Sequence, residues 1–418
     1  MRLLRHLLTA AMVLLLPAAH AAELGSQLQG LLDHARQHSA DYAAMRYESA
    51  AAEARIAAAG ALPDPKLQVE LRDLTRMGEQ SATLDPSRVG STRYLLMQDL
   101  PWYGKRGLRS DIAGSEARAA SLQQRGSWVD LSAAIRQTHI QRYFLARNLQ
   151  LSREVLDTLR RLEQIAQTRY ASGLAMQQDV LRSQLEQTAM RNDIVMLEGE
   201  ALTLQTRLNA LLGRSPDEAL ADAQDLPALP TPAGRQFADL ARRLADSNPQ
   251  IQTEAARVQA AEQRRALAYR ERYPDFTLGV APIQTRNAIR EWELMLQMNI
   301  PLQQGARRGQ EREATAMQAA AQSRQEAAAQ RLGGELAASL TAMEVSARIE
   351  RELGSSLLPQ AELSYRSALA AYENGKLDFA TLLEAQRQIS QTRIGLLKAQ
   401  ADQQMRWTEI TRMLGEAP

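Results

Sequence analysis

Few side chains in this sequence stand where they could do chemistry together. His34 and His38 are four residues apart and would share one helix face. Two imidazoles hold a metal ion only with further ligands, and solvated histidines fit the same spacing. His139 stands alone, and the absence of cysteine leaves no disulfide, no thiolate ligand and no lipid-anchoring cysteine. No metal-ligand cluster, phosphate loop or nucleophile motif is present. The pattern points away from an enzyme and from a resident metal or cofactor. Charge is balanced, with 50 Lys and Arg against 48 Asp and Glu and a net charge of +2. Both signs are interspersed along helix-like stretches, which argues against a nucleic-acid partner.

What the sequence does contain is one stretch written twice. The first copy runs from Leu62-Pro63-Asp64-Pro65 to Leu100-Pro101-Trp102-Tyr103-Gly104-Lys105-Arg106. The second runs from Tyr273-Pro274-Asp275-Phe276 to Ile300-Pro301-Leu302-Gln303-Gln304-Gly305-Ala306-Arg307. Each has a Pro-Asp start, two strand-like runs around a loop, and a proline exit into a very long helix. The loops are expected at Gly78 to Gly90 and at Pro282 to Ala288. Leu67, Val69 and Leu71 alternate with Gln68, Glu70 and Arg72; Phe276, Leu278 and Val280 with Asp275, Thr277 and Gly279. Trp292, Leu294, Leu296, Met298 and Ile300 alternate mostly with polar residues, although Met295 breaks the polar face. The run Arg93 to Leu100 is less clean. Each strand would carry an oily and a polar face and span about 9–11 residues, the length of a tilted transmembrane strand. A half-buried sheet in a soluble domain would alternate in the same way.

The flanking sequence separates these readings. Arg2 and Arg5, the apolar run Leu7 to Leu16 and Ala19-His20-Ala21 form a secretory signal, so the mature chain is expected to start near Ala22. No later run of about 20 apolar residues could cross the inner membrane as a helix. Such an exported chain is periplasmic, secreted or an outer-membrane β-barrel protein. Aromatics are 4% of the chain and alanine is abundant, which suits long, thin helices.

In chain order, Leu24 to Ala61 reads as helix with a break near His38-Ser39. One helix runs from about Lys105 to Ala171, about 100 Å at 1.5 Å per residue, and demands a coiled-coil seam. Val155, Leu159, Leu162 and Ala166 supply it with 4-3-4 spacing. The chain turns at Ala171-Ser172-Gly173-Leu174 and returns as helix from about Met176 to Leu212. Arg214 to Gly234, with Pro216, Pro227, Pro230 and Pro232, is an irregular connector. Helix resumes at about Gln236 and breaks at Asn248-Pro249. A second long helix runs from about Ala306 to Tyr372, with Leu358, Ala361, Tyr365, Ala368 and Tyr372 along its seam. Pro359 must kink or break it. After a turn at Tyr372-Glu373-Asn374-Gly375, a return helix ends near Leu414-Gly415. Tyr170 and Tyr372, Gly173 and Gly375, Leu181 and Leu383, and Gly213 and Gly415 are each 202 positions apart, and Gly104 and Gly305 are 201 apart. So constant an offset is the mark of tandem duplication.

The expected organisation is a signal peptide at 1–21, a first repeat at 22–213, a connector at 214–235 and a second repeat at 236–418. The first repeat holds a strand pair at 66–100 and a helical tip near 173; the second, a strand pair at 275–300 and a tip near 375. Open sheet edges are not tolerated in lipid. Four strands cannot close a barrel and at least ~8 are needed, so at least two chains must join. The fold class is an α+β membrane protein with long coiled-coil hairpins and four transmembrane strands per chain.

With these features, the sequence resembles the TolC-type outer-membrane factors of Gram-negative efflux systems across essentially its whole mature length. Gly60-Ala61-Leu62-Pro63-Asp64-Pro65 and Met97-Gln98-Asp99-Leu100-Pro101-Trp102-Tyr103-Gly104-Lys105-Arg106 are similar to the heavy-metal branch, the partners of cobalt-zinc-cadmium and copper-silver exporters. The resemblance implies a homotrimer with a 12-stranded barrel in outer-membrane lipid and a periplasmic α-barrel. It also implies docking onto a periplasmic adaptor and an inner-membrane RND pump, with transition-metal cations as cargo.

The helical turns would form the periplasmic mouth. By resemblance, Arg169, Tyr170, Gly173, Leu174, Gly375, Lys376 and Leu377 belong to the adaptor-contacting tips. Tyr372 and Asp179 would hold the tips closed; Thr381 and Glu384 stand where the family carries an acidic selectivity ring. A gate arginine of the family is replaced by Leu377, so the closed-state lock is expected to be weaker or built differently. From periodicity alone Glu384 fits a solvated helix face and Tyr372 a seam residue. Trp102, Tyr103, Tyr273 and Trp292 are expected membrane-interface aromatics. Arg106, Arg109, Arg307, Arg308 and Arg312 follow the strand exits and fit lipid headgroups or solvated helix starts. Two other functions fit parts of the pattern: a duct for drugs or type I protein secretion, and a periplasmic coiled-coil adaptor. An adaptor has only one hairpin per chain.

Overall fold

A computed structural model describes residues 24–416 apart from 225 and 227; the expected signal peptide lies outside them. The elements are α1 (Leu28–His38), α2 (Ala40–Gly60), β1 (Lys66–Arg72), β2 (Ser91–Leu100), α3 (Lys105–Ala171), α4 (Gln177–Leu212), α5 (Phe237–Ser247), α6 (Pro249–Arg270), β3 (Phe276–Thr285), β4 (Ala288–Met298), α7 (Gln304–Glu352), α8 (Leu358–Glu373) and α9 (Phe379–Met413). A π-helical turn, Leu353–Leu357, joins α7 to α8 and leaves Pro359 in the first turn of α8. The helix continues through this turn, with Leu357 and Leu358 both in the right-handed helical conformation, so Pro359 does not end it. No described helix is long and apolar enough to cross a membrane.

The chain forms two compact units. One comprises the chain up to Ala44, Arg125–Asn248 and the chain from Arg331; the other, Met45–Gln124 and Pro249–Gln330.

In the first unit most of the spacing-derived seam residues are buried, with Leu358 and Tyr365 half-buried. Val155, Leu159, Leu162 and Ala166 of α3 pack with Ala368 and Tyr372 of α8 and with Phe379, Leu382 and Leu383 of α9. A second cluster joins Leu31, Leu32 and Ala35 of α1 to Ile135 of α3 and to Leu208 and Leu212 of α4. Both tip turns close alike. Gly173 N–H donates to the Tyr170 carbonyl and Leu174 N–H to the Arg169 carbonyl; Gly375 and Lys376 repeat this against Tyr372 and Ala371. Gly173 and Gly375 both have φ of 69°, the left-handed conformation that glycine adopts without a Cβ clash.

The second unit is built on an antiparallel sheet of order β1-β2-β3-β4. Leu96 pairs with Leu67 on one side and Val280 on the other, and Val280 pairs with Leu294. That register gathers Leu67, Val69, Leu96, Leu278, Val280, Trp292, Leu294, Leu296 and Met298 on one face, all exposed. The opposite face carries charge. Arg93 lies between Glu293, at 2.7 Å, and Glu70, at 3.5 Å, while Lys66 meets Asp99 at 2.8 Å.

Two expectations need correction. Pro282 and Ile283 belong to β3, and the loop shrinks to Arg286 and Asn287. Proline has no N–H for a ladder, and Pro282 sits where the β2–β3 pairs lapse, between Arg93↔Ile283 and Leu96↔Val280. β1 has 7 residues rather than nine or more. It stops because Asp73 turns the chain, with φ of 56° and its carboxylate accepting the Met77 N–H at 2.9 Å.

Candidate functional site

Two clusters concentrate the polar contacts that the repeats position. The first lies at the tips, within the first unit. Arg169, near the end of α3, reaches across to the end of α8. Its Nη1 donates to the carbonyls of Tyr372 and Glu373, both at 2.6 Å, and its Nη2 to the Leu174 carbonyl at 3.1 Å. The Tyr372 carbonyl also accepts the Gly375 N–H, so Arg169 adds a second donor at the end of α8. The guanidinium also lies 4.9 Å from the centre of the Tyr372 ring, and Tyr372 packs on Phe379.

The Tyr372 hydroxyl faces Asp179 Oδ2 at 3.5 Å. Burial pushes the Asp179 carboxyl above its ordinary range, and Asp378 adds to this; the Tyr372 hydroxyl, Arg182 and Arg169 pull the other way. Burial, with the Asp179 charge second, pushes the Tyr372 phenol up to about 12. The pair therefore meets as a neutral phenol donating to a carboxylate that gives up part of its hydration.

The structure thus brings Arg169, Tyr372, Asp179, Leu174 and Gly375 together and keeps Thr381 and Glu384 out. The Thr381 N–H and hydroxyl donate to Asp378 at 2.8 and 3.1 Å, which caps α9. Glu384 is exposed and lies 3.8 Å from Arg387, which also pairs with Glu186. Leu377 packs against the buried tip cluster, whereas Tyr170 and Leu174 are exposed and so is Lys376. Asp378, Arg387 and Glu163 were not singled out from sequence. Hydrogen bonds from Gln184 and Gln187 hold the Glu163 carboxyl below its usual range. The Asp-x-x-Thr run opening α9 was a readable capping signal; the other two resemble ordinary solvated charges.

The second cluster lies in the second unit, where β2 becomes α3. Lys105 is 1% exposed. Its Nζ donates to Asp275 Oδ1 at 2.9 Å, the Tyr273 carbonyl at 3.0 Å and Glu271 at 3.3 Å. Asp275 also accepts the Trp102 N–H at 2.7 Å. Trp102 stacks on Tyr273 with centroids 5.2 Å apart, while Tyr103 and Trp292 are exposed. Gly104 has φ of +82°, and Arg270 Nη1 fills the space a Cβ would need. The strand exit of one repeat is thereby fastened to the strand start of the other. The sequence reading passed over Lys105 because a lysine at a helix start looks solvated.

His34 and His38 stack with ring centres 4.2 Å apart. Among the described residues no group of three or more His, Asp or Glu stands close enough to hold a metal.

No acid–base or nucleophilic constellation emerges at either cluster. The arrangement instead joins exposed apolar strands to long helices whose ends are held by reversible hydrogen bonds. Known proteins have a similar sequence or fold. The cobalt-zinc-cadmium resistance protein CzcC of Cupriavidus metallidurans is 24% identical over 398 residues, 93% of this chain and 90% of that protein. The crystal structure of the outer membrane protein VceC of Vibrio cholerae superposes with a TM-score of 0.80 at 18% identity, covering 93% of this chain and 96% of that one. CusC, described in terms of transmembrane channel formation, also gives 0.80 at 18% identity, covering 96% and 95%. The sequence model for outer membrane efflux proteins matches residues 31–214 and 240–416, on both sides of the connector, and the chain accordingly belongs to the outer membrane efflux protein family, whose members are conduits rather than enzymes.

Proposed function

We propose that the protein is the outer-membrane exit duct of a tripartite efflux system, conducting heavy-metal cations passively from periplasm to exterior. The observation that carries the duct is the sheet, with one exposed apolar face, one charged face and two unpaired edges. In lipid such edges must be closed. Three copies would give a 12-stranded barrel with the charged faces turned inward. Trp102, Tyr103, Tyr273 and Trp292 would then lie at the membrane–water boundaries.

In this reading the helical turns at Gly173 and Gly375 form the periplasmic mouth, with Arg169, Tyr170, Leu174, Lys376 and Leu377 offered to the adaptor of an RND pump. The Tyr372–Asp179 contact belongs to the closed gate, and Arg169 does the work for which Leu377 offers no cation. Glu384 lies in the lumen, and Thr381 supports the capped start of α9. Three such carboxylates around one axis favour cations. The metal cargo is supported by similarity along the chain to a protein named for cobalt, zinc and cadmium resistance.

Deletion of the gene tests the cargo. Sensitivity to transition-metal cations should rise only in cells that carry the partner pump. Unchanged metal tolerance together with raised drug sensitivity would reject the metal reading. In planar bilayers Glu384→Ala should lower the cation preference; an unchanged preference removes Glu384 from the lumen.

A further inference from the structure

Within one chain, the seam between β2 and β3 is closed by a strand ladder and by the tie from Lys105 to Asp275. The duplication writes both halves of that seam again. Pro301 follows Pro101 by 200 positions, and Pro274 follows Pro63 by 211. The counterpart seam would join β4 to β1. These are the two edges of the sheet, so a single chain leaves it open.

We infer that a second copy of this chain closes that seam in the register of the internal one and with an ionic tie between Arg307 and Asp64; the inference rests on the barrel reading above. Carrying the β2–β3 pairs over by those two offsets sets Leu296 and Met298 of one copy opposite Val69 and Leu67 of the next. The same register sets Gln297 opposite Gln68 and Glu293 opposite Arg72. Apolar side chains thus meet apolar ones on one face, and a carboxylate meets a guanidinium on the other. A slip by one residue would turn one strand's oily face against the other's polar face.

The tie carries over with one change. Asp275 maps onto Asp64, which is exposed and forms no ion pair with any described residue. By the glycines, Ala306 stands where Lys105 does and Arg307 where Arg106 does. Arg106 spends its Nε on the Gly60 carbonyl at 3.0 Å. The Arg307 side chain, in contrast, is half-buried and forms no ion pair with any described residue. Arg307 therefore replaces Lys105 at the open seam, and its acceptor is Asp64 of the neighbouring copy.

The mature protein, purified from outer membranes in mild detergent, tests this. It has no native cysteine, so the double variant Gln68→Cys/Gln297→Cys should give oxidised oligomers on a non-reducing gel, and Glu70→Cys/Gln297→Cys should not. Asp64→Arg and Arg307→Glu should each cut the fraction of oligomer surviving dilute SDS about tenfold, as for a buried interfacial charge pair, and the double swap should restore it. Cross-linking only in the Glu70→Cys pair overturns the register. Cross-linking as expected with inert charge variants, or with no rescue by the swap, overturns the tie and leaves the barrel standing. A mature protein that is monomeric in detergent and cross-links at neither pair overturns the barrel reading itself.

Discussion

Arg169 and Tyr372 touch in two ways at once: the guanidinium lies 4.9 Å from the centre of the phenol ring, and its Nη1 donates to the backbone carbonyl of the same residue at 2.6 Å. One cation thus holds both the side chain and the helix end that carries it. A charge-assisted hydrogen bond is worth about 1.5–3 kcal/mol, less where water competes. Arg169→Ala should therefore speed amide exchange around residues 372–376 by about tenfold. Arg169→Lys should recover little of this, since an ammonium has no flat face to stack on the ring and no second nitrogen to reach the Leu174 carbonyl. Unchanged exchange in both variants would show that the turn holds itself.

The same ring links the tip to pH. Asp179 is raised by burial, so the folded tip binds its proton more tightly than the unfolded chain does. Its contribution to tip stability is full below the ordinary aspartate value and is lost as pH rises through the raised folded value. Local amide exchange at 176–181 should quicken across that interval in the native protein. Asp179→Asn should flatten the profile; a profile that persists places the titration on another group.

Lys105 gives a prediction of a different size. Removing one partner of a fully buried ion pair costs about 3–5 kcal/mol; Glu271 and Asp275 are each 35% exposed and regain water, so the loss of Lys105 should cost less. Lys105→Ala should lower the thermal midpoint and the yield of membrane-inserted protein. Lys105→Met combined with Asp275→Asn should recover part of both.

Thr381 takes part through the cap of α9 and not through charge. Asp378→Ala should cost about 1 kcal/mol, the usual worth of a side-chain N-cap, read from exchange of the first α9 amides. Thr381→Val should leave ion selectivity untouched, and a shift in reversal potential would place Thr381 at the ion path.

Much of this was legible because the repeat is written in spacing. The heptad-like seams at Val155–Ala166 and Leu358–Tyr372 followed from which residues recur every three or four positions. The tip turns followed from glycines at matching offsets. Strand ends were harder: Pro282 reads as a loop signal until its place at a gap in the ladder is known, and β1 ends early through a turn built by Asp73. Charges were hardest. Lys105, Arg169 and Glu384 look alike in sequence, and only packing distinguishes a buried tie, a clamp over a ring and a side chain open to solvent.

The π-helical turn at Leu353–Leu357 carries a further consequence. The two repeats are 201 positions apart at their exit glycines and 202 at their tips, so the second long helix accommodates one more residue than the first. An unrelieved extra residue would swing every later side chain about 100° around the helix axis. The wider turn absorbs it, so Tyr372 still faces inward. The two repeats thus differ by one residue in helix length without turning the tip of the second hairpin inside out.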